Sequence, residues 1–312
     1  MSLFKKPSEL KVNAIVKVLI YGQPGTGKTT IALSSPSPVL FDFDGGVMRV
    51  NGAFQCPTLQ VESWDEVLQA MDEDLSKFRS IIIDTAGKML DFMSAYIIKN
   101  DNKMQQRDGS LSLKGYGVRK RMFCDFIARC SMLGKNVIFV AHEKEDKDGE
   151  QRIVRPEMSG SSLGDLIKEL DLVGYMQMIG NERTINWSPT EKFYAKNTCN
   201  LPPVQNIPQI IDASGNVTSQ NNFLTDIFAA WHKYLKAQTD TTQQYDALID
   251  IISENVEAIT DVTTANEVTR KIEGMQHIWD SKIKGAAMIA KRCKSLGLSY
   301  DKINKCYVQQ SA

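Results

Sequence analysis

The sequence predicts an α/β fold: a mostly parallel central sheet flanked by helices, followed by a mainly helical C-terminal region. Three observations predict it. Up to about Pro203, short apolar runs alternate with amphipathic stretches, the mark of repeated βαβ units. One of those runs, Ser80-to-Asp84 (SIIID), is apolar on both faces, as a central parallel strand has to be. Beyond Tyr245 the pattern turns helical.

The elements follow in order. Ala14-to-Tyr21, rich in Val and Ile and closed by Gly22, reads as a buried strand, and Lys28-to-Ser34 as the helix after it. Pro38-to-Asp44 (PVLFDFD) is a second strand ending at Gly45-Gly46, and Thr58-to-Val61 a short third. Ser63 with Glu66 three residues on has capping-box spacing, and Val67, Leu68, Met71, Leu75 and Phe78 continue at helical spacing. After Ser80-to-Asp84 come a helix over Gly87-to-Asn100, a polar loop over Asp101-to-Lys114, a helix over Tyr116-to-Leu133 and a buried strand over Asn136-to-Ala141. The charged stretch Glu143-to-Gln151 carries an Asp-Gly pair, hairpin or loop chemistry. Ser161-to-Asp171 reads as a helix capped by Ser161 or Ser162. Pieces near 173–178, 183–187 and 192–196 read as strands extending the sheet antiparallel. Asn222-to-Leu235 is amphipathic and Ala237-to-Gln244 a polar linker, so the expected division is 1–236 (core about 13–203) and 237–312.

The 312 residues suffice for one generous domain or two ordinary ones. Thirty-seven basic and 37 acidic residues cancel, so any polyanionic partner requires a local patch. No apolar run approaches the roughly 18 residues of a membrane span, and Lys17 interrupts the N-terminal apolar stretch, which reads as a strand rather than a signal peptide. Six scattered cysteines without a C-x-x-C pair and three distant histidines argue against zinc. A reduced, cytoplasmic protein with no membrane partner is expected.

The chemistry is concentrated in Gly22-Gln23-Pro24-Gly25-Thr26-Gly27-Lys28-Thr29, a full G-x-x-x-x-G-K-[ST] phosphate loop (Walker A) between a strand and a helix. Its glycines let backbone N–H groups converge on phosphate oxygens. Lys28 supplies a compact charge for the β/γ oxygens, Thr29 a hydroxyl for Mg²⁺, and Thr30 completes the nucleotide-binding set. ATP with Mg²⁺ is the expected ligand pair. Asp84, closing Ile81-Ile82-Ile83, fits the Walker B carboxylate on a strand beside the loop strand. Thr85 follows it where many such enzymes place a catalytic Glu. Asp44, two residues beyond Asp42 and so on the same strand face, is the candidate to orient the attacking water; the bland alternative is a turn acid before two glycines. Asp84-Thr85-Ala86-Gly87 also matches the D-x-x-G of GTPases, but no N-K-x-D occurs.

This set resembles the RecA-like ATPase core. More narrowly, residues 13 to about 203 resemble a phage-encoded AAA-type ATP-binding family grouped with RecA/RadA-like single-strand annealing proteins. The resemblance implies a catalytic acid at Asp44, where the family more often has Glu, and a γ-phosphate sensor at His142. It implies a lysine reaching a neighbouring subunit's nucleotide at Lys196, although Thr198 stands where the family has Arg. It also implies a homo-oligomeric ring or filament, single-stranded DNA, a possible recombination or replication protein partner, and the host cytoplasm as location. Matching DNA loops would be Asp101–Lys114 and Glu143–Met158, with Lys103, Arg107, Lys114, Lys147, Arg152 and Arg155. A separate candidate is the basic end, where Lys282, Lys284, Lys291, Arg292, Lys294, Lys302 and Lys305 follow an acidic segment, and Tyr300 and Tyr307 offer stacking faces. Two rival readings are a nucleotide-switched protein-binding module with little hydrolysis, and a small-molecule or nucleotide kinase.

Overall fold

The computed structural model describes residues 3–10, 15–148, 151–158 and 162–309. The chain falls into two compact units, Ala14–His232 and a second made of Met1–Asn13 with Lys233–Ala312. The N-terminal segment groups with the C-terminal unit for a local reason. Lys6 Nζ donates to both oxygens of Asp250 at 3.2 and 2.9 Å, and Ser8 Oγ donates to Asp246 at 2.5 Å. The expected boundary at residue 236 lies a little past this division.

The larger unit runs β1 (Lys17–Gly22), α1 (Lys28–Ala32), β2 (Pro38–Asp42), β3 (Thr58–Gln60), α2 (Trp64–Asp72), β4 (Ser80–Asp84), α3 (Ala86–Asn100), α4 (Leu113–Met132), β5 (Asn136–Asp148), β6 (Gln151–Pro156), α5 (Ser162–Glu169), β7 (Leu172–Ile179), β8 (Glu182–Asn186), β9 (Lys196–Asn197), β10 (Val204–Asn206) and the start of α6 (Phe223–Glu257). The sheet order is β10-β8-β7-β1-β5-β4-β2-β3, with β6 added to β5 and β9 to β7. Every neighbouring pair from β7 to β3 is parallel. Those strands therefore end on one edge of the sheet, where ligands of open α/β sheets bind. This is a P-loop NTPase fold, with β5 between the loop strand and the Asp84 strand.

Both faces of the sheet are buried because the strands are apolar on both sides. One face packs Leu19, Phe41, Ile81, Ile83, Val137 and Phe139 under α2, α3 and α4. The other packs Val18, Ile20, Ile82, Ile138 and Val140 under Ile31 and Ala32 of α1 and Leu224, Ile227 and Phe228 of α6. Polar side chains set the helix starts: Ser63 accepts from Glu66 N, Thr85 from Lys88 N and Ser112 from Gly115 N. The reciprocal half of the capping box goes one residue upstream, since Glu66 accepts from Glu62 N at 2.9 Å.

Four expectations are corrected. β4 is not beside β1, because β5 is hydrogen-bonded to both. β2 ends at Asp42, so Asp44 lies in the turn beyond it. β7 is parallel to β1, and only β8 and β9 pair antiparallel to it. Glu143-to-Met158 is mostly strand: β5 runs on past Ala141 and pairs antiparallel with β6. The expected helix cap at Ser161 lies outside the described residues.

The smaller unit holds the rest of α6, then α7 (Val262–Glu273), α8 (Ser281–Ser295) and the hairpin of β11 (Leu298–Asp301) and β12 (Cys306–Gln309). Its core is Ile252, Val256, Ile259, Val268, Ile272, Ile289, Cys293, Leu298 and Tyr307. The polar stretch 237–244 is helical rather than a linker, with Thr239, Thr241 and Thr242 hydroxyls donating to carbonyls four residues back. Asp301 Oδ1 accepts from Ile303 and Asn304 N–H groups, which sets the closing turn of the unexpected hairpin.

Gly174 on β7 shows how tightly the sheet packs. A Cβ there would lie 2.5 Å from Ile185 Cδ1 and 2.7 Å from Trp187 Cζ3, and Trp187 is fully buried. Gly174→Ala should lower the free energy of unfolding by about 1–3 kcal/mol through overpacking, read from the urea midpoint; an unchanged midpoint would show that Trp187 repacks freely.

Candidate nucleotide site

The phosphate loop begins where β1 is clamped on both sides, Gly22 pairing with His142 on β5 and with Met176 on β7. The approach is too close for a side chain: a Cβ on Gly22 would lie 2.2 Å from the Met176 carbonyl oxygen. Gly27, at φ +88°, turns the chain into α1 in a conformation that costs glycine little. Thr26 Oγ1 closes the loop by donating to the Gln23 carbonyl at 2.9 Å, leaving Gln23, Pro24 and Gly25 exposed at its tip. Asn221 Nδ2 donates to the Thr30 carbonyl at 2.7 Å and fixes the start of α1 from below.

Lys28 is buried and folded back, its ammonium donating to the Gly22 and Gln23 carbonyls at 2.9 and 2.6 Å. Burial lowers its pKa, against the pull of the Asp84 and Glu143 carboxylates. Thr29 Oγ1 donates to Asp84 Oδ2 at 2.5 Å. Burial pushes the Asp84 carboxyl up, the Thr29 hydrogen bond works against this, and Asp42 and Asp44 add to the rise. A hydroxyl and a carboxylate in contact, with Asp42 and Asp44 nearby, are hard oxygen donors. Their chemistry fits Mg²⁺, whose charge would relieve the penalty on buried Asp84.

Beyond this pair, a cavity of about 210 Å³ opens at the ends of β2, β4 and β5, with Asp44, Thr85, Lys88, Asp91, His142 and Glu157 in its wall. Asp44 reaches it through a turn organised by Asp42, whose carboxylate accepts from the N–H groups of Asp44, Gly46 and Val47 at 3.2, 3.0 and 3.0 Å. Asp42 is thus a buried turn-former, and Asp44 is the half-buried acid facing the cavity. His142 presents a buried Nδ1 that has no hydrogen-bond partner among the described residues. Lys28, Thr29, Asp44, Asp84 and His142 are therefore brought together at one edge of the sheet.

Glu143 is a member that sequence reasoning missed. One of its carboxylate oxygens is buried without a partner, and burial together with this carboxylate pushes the Tyr175 phenol up to about 12. The only signal was its place immediately after His142, and that stretch read as a loop.

Lys196 is not brought to this site. It pairs with Val173 near the start of β7, and its ammonium donates to the Ile167 and Lys168 carbonyls at the end of α5, at 3.0 and 3.2 Å, a position where a cation complements the helix dipole. In the hairpin of β5 and β6, Arg152 pairs with Glu145 at 3.7 Å and Arg155 with Asp146 at 3.3 Å. The loop before α4 differs: Met104 and Leu111 anchor it inward while Lys103, Arg107 and Lys114 stay exposed. At the basic end, Tyr307 is buried in the core and only Tyr300 keeps an open face. Lys284 pairs with Asp280, and Arg292 donates to the Ile259 carbonyl.

A family model described as an AAA domain matches residues 14–199. The SPbeta prophage-derived uncharacterized protein YorG of Bacillus subtilis (strain 168) is 24% identical over 170 residues, 52% of this chain and 51% of that protein; the chain thus spans about half the length of that relative. The crystal structure of flagellar accessory protein FlaH from Methanocaldococcus jannaschii aligns at 13% identity and a TM-score of 0.31, over 55% of this chain and 75% of that one. Among the described residues, no helix is long and apolar enough to cross a membrane.

The raised Asp84 pKa has a signed consequence. The folded state holds that proton more tightly than the unfolded state does. The group's stabilising contribution is therefore full below its ordinary pKa and is lost as pH rises through the folded value. Without Mg²⁺, Asp84→Asn should raise Tm at pH 7 by about 2–4 °C, and the gain should shrink as pH falls toward 4. Thermal unfolding at both pH values checks this; a lower Tm at pH 7 would mean that the ionised carboxylate stabilises the fold.

Proposed function

The chain belongs to the AAA domain family and has a nucleotide-binding ATPase fold, and on that premise we propose that it is a Mg²⁺-dependent ATPase acting on single-stranded DNA in recombination or annealing, as a homo-oligomer. The observation that carries the ATPase reading is the hydrogen bond from Thr29 of the phosphate loop to Asp84 at the end of β4. Lys28 exchanges its loop carbonyls for the β and γ oxygens of ATP. Thr29 and Asp84 would hold Mg²⁺, which when bound would supply positive charge to the phosphates. Asp44 accepts a hydrogen bond from the water and aims it in line at the γ-phosphate, and His142 senses that phosphate.

The DNA half rests on the resemblance to single-strand annealing ATPases and on one surface. Lys103, Arg107 and Lys114 form no ion pair among the described residues, so their charges are free for phosphates. The hairpin contributes less, since its arginines face Glu145 and Asp146. A phage-encoded origin, with action in the host cytoplasm, agrees with the prophage source of the relative. A nucleotide-switched module that turns over slowly is the second reading. It is favoured by the short Asp44 side chain in a turn and by Lys196 being occupied at α5.

Steady-state phosphate release from ATP, with and without single-stranded DNA, separates the two. We expect Lys28-dependent release that DNA stimulates several-fold, and loss of the stimulation when Lys103, Arg107 and Lys114 are all changed to Ala. Release indifferent to DNA, with no DNA binding, sinks the DNA half and favours the switch.

A further inference from the structure

Arg183 has no part in the chemistry above, yet it touches the phosphate loop. It lies on β8 opposite Met178 of β7, and its carbonyl accepts from Ile207 N at 2.8 Å, so its backbone is held on both flanks. A Cβ built on Gly27 would lie 3.3 Å from Arg183 Nη1 and 3.7 Å from Cζ. The guanidinium therefore rests against the residue immediately before Lys28. Glu182, its neighbouring acid, is engaged by Asn206 Nδ2 at 3.1 Å. Among the described residues Arg183 has no ion pair and no side-chain hydrogen bond. Five N–H donors are thus available beside a loop whose backbone gathers anions.

Sheet order says which end of the ligand it faces. β1 has β5 on one side, leading to Asp84, Asp44 and His142, and β7 on the other, leading to β8 and Arg183. The two sets flank the loop from opposite sides. In the proposed function, Asp84, Asp44 and His142 would serve the γ-phosphate on their side, so a cation on the β8 side would meet the phosphate nearest the nucleoside. We propose that Arg183 binds the α-phosphate of the nucleotide held by its own chain's loop, clamping it against Gly27. This rests on the nucleotide reading of the loop. The contact does not depend on the γ-phosphate, so it serves ADP and ATP alike.

The test is titration of ADP and of ATP, by calorimetry, into the wild type, Arg183→Ala, Arg183→Lys and Lys28→Ala. Because Arg183 is exposed, Arg183→Ala should keep the wild-type Tm. Loss of a charge-assisted hydrogen bond should weaken both nucleotides by the same factor, about tenfold or more, and Arg183→Lys should recover part of it. Unchanged affinities overturn the proposal, as does a loss confined to ATP, which would place the contact at the γ-phosphate. A loss that lysine does not rescue also overturns it, because stacking on the base needs the guanidinium plane. If Lys28→Ala still binds ADP like the wild type, the nucleotide reading of the loop fails instead, whatever Arg183 does.

Discussion

The hydrogen bond from Thr29 to Asp84 joins two strand ends that β5 keeps apart, and the rest of the site depends on how that gap is bridged. Neighbouring strands lie about 4.8 Å apart, so the ends of β1 and β4 are separated by roughly twice that. The bridge is α1, which packs Ile31 and Ala32 on the face holding Ile82, Ile138 and Val140 and so carries Thr29 across β5 toward Asp84. Gly22 and Gly27 permit that path, one by tolerating the Met176 carbonyl, the other by a left-handed turn. A short helix that buries only a few side chains would not hold this position alone. Asn221 at the Thr30 carbonyl and the Leu224 N–H on Ser34 Oγ tie it to the start of α6.

The same edge gathers charge that folding alone would reject. Lys28 and Asp84 are both shifted by burial toward their neutral forms, and each raises the other's tendency to stay charged. Asp42, buried beside them, has its carboxylate taken up by three backbone N–H groups. Among the described residues, Asp84 has a single hydroxyl donor and His142 an unpartnered ring nitrogen. Groups left short of partners at one edge are the mark of a site whose remaining partners arrive with a ligand.

The parallel core was legible because its signals are local. Apolar runs on Ser80-to-Asp84 and Asn136-to-Ala141, the glycine spacing of the loop, and Ser63 ahead of α2 each carry their own physics. What was not legible came from pairing between distant segments. Strand order cannot be read from β4 or β5 alone, so β5 between β1 and β4 emerges only in the sheet. Glu143 and its neighbours read as a charged loop because Lys144 to Lys147 are all exposed and show no apolar alternation. Their strand character comes from β6 pairing, where Lys144 meets Arg155 and Lys147 meets Arg152 across the ladder. Arg183 was invisible for the same reason: nothing near it in sequence mentions the phosphate loop, and only the β7–β8 register brings it there.

Asp44 shows most clearly how a correction to the fold alters the chemistry. Two residues apart on one strand, Asp42 and Asp44 would share a face and be equivalent candidates. With the strand ending at Asp42, they divide the work: Asp42 spends its carboxylate on the turn, and the turn presents Asp44. An acid on a strand is positioned by the whole sheet, whereas one in a turn is positioned by three hydrogen bonds to a single side chain. The reach lost by having Asp instead of Glu can then be made up only by movement of that turn toward the cavity. Gly45 and Gly46 follow immediately, with Gly45 at φ +63°, a conformation that costs glycine little. If Asp44 orients the water as proposed, turnover would depend on how far this turn moves toward the cavity, since the phosphate loop already has its full set of groups.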